Sequence, residues 1–547
     1  MKPKRPYGSC AVLCAVLLAL VSFSGGQEFD QLAAVHKGVP QDWSQRHVVF
    51  SRAGLAEHPD LIEREPRILH EILQRWQAPN SGVFHGAAPV PQGGSGSGRD
   101  WNVPFAAGRI SLNMFPAKFS FDPGAPPDCA NDFVVFGLAT VGATGGHPNL
   151  IAFNNLYVNA TGTGFCPGTA PNVLFAYNIT TPATTGKIVT SPILSVDGKK
   201  IAFVESLGTS AVFHVLTWTA GQGTRTAAAP PPASMTSLTY SATSNSTTSS
   251  PYIDYSNDTV YLGSDKGLMY KIIKVFGGTP TPAGAPWPVT VSTNFRLSPP
   301  VLDTQLKDLM VGSANGNLYQ ININTGAVTA LVVGKSTGTT PGVVAAPIVD
   351  VTNGTTFVIS ANDGTSAVLV EADTSSMTQL AKSRIGLGSS GSTPLNIYEP
   401  AVDNNYYNNP STGRIYTCGT GAADTTPWQY SFGFTGRTMQ TAVASSQQLS
   451  TVATSRCTSW TEFFNPNIGV SGTDYLFFGL TSDCTGVGTV NGCVASLSGG
   501  TLTKATVNGG PSGIVIDNYS TDVGASSLYL CARNVNTAYK FTQNGLQ

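Results

Sequence analysis

Charge is what this chain lacks most. Only 11% of its 547 residues are Asp, Glu, Lys or Arg, and the net charge is −1. An ordinary globular domain carries about a quarter. So few charges build neither a basic face for nucleic acid nor a polybasic stretch for a membrane surface. Histidine is scarce as well. From Asp100 onward there are only His147 and His214. His214 lies within the strand pattern Val212–Trp218 and reads as structural. His147 sits in a loop after Gly145-Gly146, without a visible partner for acid–base work. No Cys-x-x-Cys occurs, which weakens zinc and dithiol readings, and no metal site is assigned. Disorder is excluded from the other side. Apolar residues reach 41%, in short alternating runs rich in Val, Ile, Phe and Tyr.

Residues 1–26 read as an export signal. Lys2, Lys4 and Arg5 precede an apolar run from Ala11 to Phe23, and small residues follow. The run is too short for a comfortable membrane span. The chain is therefore expected to be secreted or periplasmic, with no transmembrane span. An oxidising destination permits disulfides. Cys484 and Cys493 flank a short Gly-rich loop and form the best pair. Cys129 and Cys166, both in loops of the first repeat, form the next. Cys418 and Cys531 lie in apolar strands and read as buried thiols. Seven cysteines follow the signal, so at least one stays unpaired within the chain, and the pairing of Cys418, Cys457 and Cys531 is open.

Residues 27–80 form an extension. Its stretch 54–77 interleaves charged residues with Leu61, Ile62, Ile68, Leu69, Ile72 and Leu73, the pattern of an amphipathic helix restarted at Pro66. Residues 81–99 are a Gly/Ser/Pro linker. Residues 100–547 read as β throughout. The phrase Val260-Tyr-Leu-Gly-Ser-Asp-Lys-Gly-Leu-Met-Tyr270 returns as Leu309-Met-Val-Gly-Ser-Ala-Asn-Gly-Asn-Leu-Tyr319. Each copy follows a shorter phrase, Pro251-Tyr-Ile-Asp254 or Pro300-Val-Leu-Asp303. Eight such inner-strand phrases align. The others are Phe119–Asp122, Pro192–Ser195, Pro347–Asp350, Pro400–Asp403, Pro466–Gly469 and Ile514–Asp517. A strand set recurring at about fifty residues indicates a β-propeller. Eight blades are expected, with seven as the runner-up because the unit at 466–500 is degenerate. The last unit runs out of chain before its outer strand. Trp101–Phe105 or Arg109–Met114 is expected to supply it and close the ring. The recurrent Asp reads as a turn cap rather than as a ring of cation ligands.

The phrase Gly-Ser-x-x-Gly-x-Leu/Met-Tyr, at Gly263–Tyr270 and Gly312–Tyr319, resembles the repeat of pyrroloquinoline-quinone-type propellers. That family includes eight-bladed quinoprotein dehydrogenases and a periplasmic outer-membrane assembly lipoprotein with no catalytic role. Asn149–Tyr157, Ser191–Glu205 and Thr461–Pro466 resemble segments of uncharacterised secreted bacterial propellers. The resemblance implies a fold and leaves activity open. The dehydrogenases often place two adjacent cysteines against the quinone, and this chain has no Cys-Cys pair. No cofactor is expected. Pyrroloquinoline quinone and Ca2+ are the alternatives that the resemblance would bring.

Candidate binding residues are Asn154, Asn155, Glu205 and Glu462, polar side chains beside apolar strands, with backbone satisfaction as the competing role. The expected function is a monomeric binding or scaffolding module for protein or glycan. The competing readings are a quinone-dependent or carbohydrate-active enzyme and an envelope-assembly factor.

Overall fold

The computed structural model describes residues 38–45, 48–49 and 98–542, apart from positions 112, 123–124, 181–184, 242–246, 336–340, 391–394, 466–467, 469–471, 483, 485–491 and 518–521. The signal segment, the expected helix over 54–77 and nearly all of the linker lie outside the described residues.

Eight antiparallel sheets follow one another along the chain. Their innermost strands are Ala117–Ser120, Ile193–Leu194, Tyr252–Asp254, Val301–Asp303, Ile348–Asp350, Ala401–Val402, Thr461–Asn465 and Val515–Asp517. The fold is an all-β, eight-bladed propeller, and the seven-bladed alternative falls. Two inner strands sit earlier than the aligned phrases. In the seventh blade the strand is Thr461–Asn465, not 466–469. There Trp460 precedes the strand where most blades have Pro. In the first blade Pro116 takes the Pro place and the strand starts at Ala117, before the phrase Phe119–Asp122.

Local chemistry explains each blade. The second and third strands are joined by turns that need positive φ, supplied by Gly267 (+83°) and Gly316 (+94°) in the two clean repeats. The recurrent Asp caps the turn after the inner strand. Asp303 accepts from Gln305 N and Leu306 N, both at 2.9 Å, and Asp350 accepts from Asn353 N at 2.9 Å. A further stitch recurs two residues ahead of the Pro place. Ser249, Ser298 and Thr458 accept the N–H of Gly263, Gly312 and Gly479 at 3.0, 2.9 and 2.8 Å. Ser512 accepts from Cys531 N at 3.1 Å. The glycine is required by close approach: a Cβ on Gly312 would stand 2.1 Å from Val343 in the lead-in to the next blade.

The same geometry corrects the reading of Cys418. It occupies the glycine place in the sixth blade, so its side chain meets the lead-in to the seventh. There it forms a disulfide with Cys457. The partners are 39 residues apart and meet only because one blade leans on the next. The Cys129–Cys166 and Cys484–Cys493 disulfides are present as expected. Cys531, at the glycine place of the eighth blade, is a free buried thiol, and burial pushes its pKa up.

The ring closes through Gly98–Pro104. This strand pairs antiparallel with Thr537–Thr542 and completes the eighth blade from outside. Trp101 anchors it. The indole packs 6.1 Å from Tyr529 in the eighth blade and 6.4 Å from Phe153 in the first, and its N–H donates to Leu156 O at 3.1 Å. Truncating Trp101 to Ala removes a buried aromatic at the joint and should cost about 3–5 kcal/mol. Urea unfolding of the Trp101→Ala variant measures this loss, and the midpoint should fall without a change in slope.

Candidate functional site

The natural ligand position of a propeller is its central channel, lined by the innermost strands. Here the chain fills it. Val39–Gln41 pairs antiparallel with the inner strand of the first blade, and Val48–Val49 pairs parallel with that of the fifth. Between them a single 3-10 turn, Trp43–Gln45, crosses the channel. Trp43 is fully buried and meets the Tyr252 ring edge-on at 6.4 Å. Phe115, Val301, Val349 and Val515 join the same apolar cluster. Asp42 fixes the crossing. Its carboxylate accepts from Leu194 N at 3.1 Å and Tyr255 OH at 2.9 Å, while its other oxygen accepts from the Ser44 hydroxyl at 2.7 Å. These residues come from the stretch read as an extension, and no blade pattern marks them in the sequence.

The end of the channel where the inner strands begin is tied by Glu399, which is 1% exposed. One carboxylate oxygen accepts from Ala346 N at 2.8 Å and Asn113 Nδ2 at 3.1 Å. The other accepts the Ser459 hydroxyl. Glu399 thus joins the fifth, sixth and seventh blades to the strand approaching the first. Three donors of this kind keep a buried carboxylate from becoming an uncompensated charge.

A polar rim lies beyond this tie. Arg296 donates to Asn396 at 3.4 Å. Burial pushes the Tyr398 hydroxyl up, and the positive charges of Arg533 and Arg296 oppose that shift. Burial lowers the Arg533 guanidinium, whose Nε is buried without a hydrogen-bond partner. Burial also raises the Asp265 carboxyl to about 6, against the pull of Arg296. Two guanidinium groups, a phenol and a partly protonated carboxyl suit hydrogen bonding to a polar ligand. Sequence reading missed this set because its members come from four different blades or lead-ins.

The four candidate residues do not meet. Asn154 and Asn155 hold the loop around the first disulfide: Asn154 Nδ2 donates to Ala130 O at 2.6 Å and Asn155 Nδ2 to Pro167 O at 3.0 Å. Glu205 is buried in the second blade, with Oε2 3.0 Å from His214 Nε2. His214 Nδ1 lies 2.9 Å from Ser237 Oγ, and Phe203 stacks on the imidazole at 5.2 Å. This line satisfies a buried histidine within a sheet, in agreement with its reading as structural. Glu462 lies on the inner strand of the seventh blade. Among the described residues no group of three or more His, Cys, Asp or Glu converges as a metal-ligand set, and no helix is long and apolar enough to cross a membrane.

The rim gives a pH prediction. Folding raises the Asp265 pKa, so the folded chain keeps a proton that the unfolded chain releases. The associated stability is complete below the ordinary carboxyl range and is lost as pH rises through about 6. Asp265→Asn should therefore lose less Tm between pH 5 and 7.5 than the parent, as read by thermal melts at those two pH values.

No family model matches the chain, and no curated protein matches it. Solved structures do. The chain is similar to BamB from Moraxella catarrhalis at 13% identity and a TM-score of 0.45, covering 82% of this chain and 99% of that one. It is similar to the propeller of Dos1 at 8% identity and a TM-score of 0.47, covering 82% and 95%. The WD40 propeller domain of Doa1 follows at 10% identity and 0.39, covering 82% and 98%.

Proposed function

We propose that the protein is exported and acts as a non-catalytic binding or scaffolding module, taking a protein or a glycan as its ligand. The observation that carries this reading is the filled channel. Trp43 and its neighbours stand where a cofactor or a small substrate would be enclosed. Binding is thereby left to the outer surfaces. The rim of the half-buried Arg296, Asn396 and Arg533 is one such surface. A groove of about 540 Å³ between the third and fourth blades is another, lined by Asn257, Tyr261, Lys271 and Asn324. There Lys271 Nζ stands 5.6 Å from the Tyr261 ring centre. Aromatic, amide and cationic groups together favour polar ligands.

The test uses the full chain. Immobilised glycans and peptides are screened for saturable binding, and Arg296→Ala combined with Arg533→Ala should weaken rim-mediated binding by about tenfold or more. In parallel the protein is incubated with pyrroloquinoline quinone and Ca2+ and then desalted. No quinone absorbance should remain, and no dye should be reduced with alcohols or sugars. Retained quinone with dye reduction, or hydrolysis of a bound glycan, contradicts the proposal.

A further inference from the structure

The seam between the eighth and first blades contains a group of titratable side chains that ligand binding does not use. Lys118, on the inner strand of the first blade, is fully buried. Its Nζ lies 2.7 Å from Asp517 Oδ2, on the inner strand of the eighth blade. Asp517 is 2% exposed. The contact is close but lacks hydrogen-bond geometry, and Asp517 Oδ2 has no hydrogen-bond partner. On its other side Lys118 Nζ donates to Tyr157 OH at 3.0 Å, and Tyr157 OH donates to Asp132 Oδ2 at 2.6 Å. Tyr157 and Asp132 are 2% and 4% exposed. A nucleophile, an electrophile, a proton relay and a base are thus aligned in a dry site.

The second buried lysine of the seam makes a useful contrast. Lys540 Nζ pairs with Asp100 at 2.8 Å and also donates to two backbone carbonyls, Gly524 O at 2.5 Å and Val158 O at 3.4 Å. Its neighbours are one carboxylate and two carbonyls. The Lys118 site differs because its Tyr157 neighbour leads on to a second carboxylate, Asp132.

We propose that Lys118 and Asp517 condense into an isopeptide bond, joining the first blade covalently to the last. The bond forms between Nζ and the Asp517 side-chain carbonyl carbon. Proton transfer from the Lys118 ammonium to the Asp517 carboxylate, in contact at 2.7 Å, gives an amine and a carboxylic acid. The amine lone pair attacks the carboxyl carbon. A second Nζ proton passes through Tyr157 to Asp132 and returns to the departing hydroxyl, which leaves as water. An ammonium and a carboxylate become one amide and one water. No oxidant, metal or co-reactant is needed. The four groups meet only when both blades are docked, so the link follows folding. It would secure the seam, whereas the three disulfides lie in the first, sixth and seventh blades.

The test is a mass measurement on the purified full chain after disulfide reduction. The intact mass should fall short by one water, relative to the sequence from the observed first residue. Protease digestion should release one branched peptide joining the Lys118 and Asp517 segments. Lys118→Arg should restore the full mass. Asp132→Asn, which keeps both linked residues, should slow formation by about a hundredfold. Full mass in the folded parent protein, with Lys118 and Asp517 recovered in separate linear peptides, overturns the proposal whatever the variants do.

Discussion

A ring of sheets has a seam, and everything else in this molecule depends on holding it shut. Each blade is a small sheet that buries its faces only against its neighbours. If the eighth blade drifted from the first, both would expose apolar faces and unpaired strand edges. The chain meets this constraint by returning to its own beginning. Gly98–Pro104 precedes the first blade and yet pairs with the last strand of the eighth. Two buried Lys–Asp contacts hold the same region, Asp100 of that strand with Lys540 and, on the innermost strands, Lys118 with Asp517. Removing one partner of such a pair costs far more than the pair itself contributes, because a buried charge is left alone. The seam therefore tolerates substitution poorly.

Closing the ring creates the channel, and the channel is filled from the same direction. The pieces 39–45 and 48–49 lie earlier in the chain than the closing strand. They cross between the first and fifth blades and bury Trp43 on the axis. Closure and filling reinforce each other. The crossing segment bonds to opposite sides of the ring, and Glu399 ties four places at its other end. A core of this kind resembles the interior of a folded domain more than a ligand chamber. That is the physical reason for assigning recognition to the rim and the outer grooves.

Much of the fold was legible because blades repeat. The two copies of Gly-Ser-x-x-Gly announce their hairpins through glycines that adopt positive φ, and apolar alternation marks the strands around them. The closing strand at Trp101 was legible from a count of strands, since the last unit lacked one. What stayed hidden depended on contacts without a period. Trp43 has no repeat to place it. Cys418 and Cys457 meet only across two blades. The seventh inner strand was misplaced because Trp460 stands where Pro stands elsewhere. The Ser/Thr stitch before the Pro place was open to view at Ser249, Ser298, Thr458 and Ser512, and an alignment extended two residues further would have found it. The rim needed the ring itself, because Arg296, Tyr398 and Arg533 are distant in sequence and only closure gathers them.

The central claim is that the channel is occupied by the chain's own residues 38–45 and 48–49 while the ring is closed by residues 98–104. Hydrogen–deuterium exchange on the intact protein, resolved to short peptides, tests it most directly. The account predicts that amides of Val39–Gln41 and of Gly98–Pro104 exchange as slowly as those of the blade strands they join. Exchange of residues 38–45 and 48–49 at the rate of an unstructured peptide, while the blades stay protected, would contradict it.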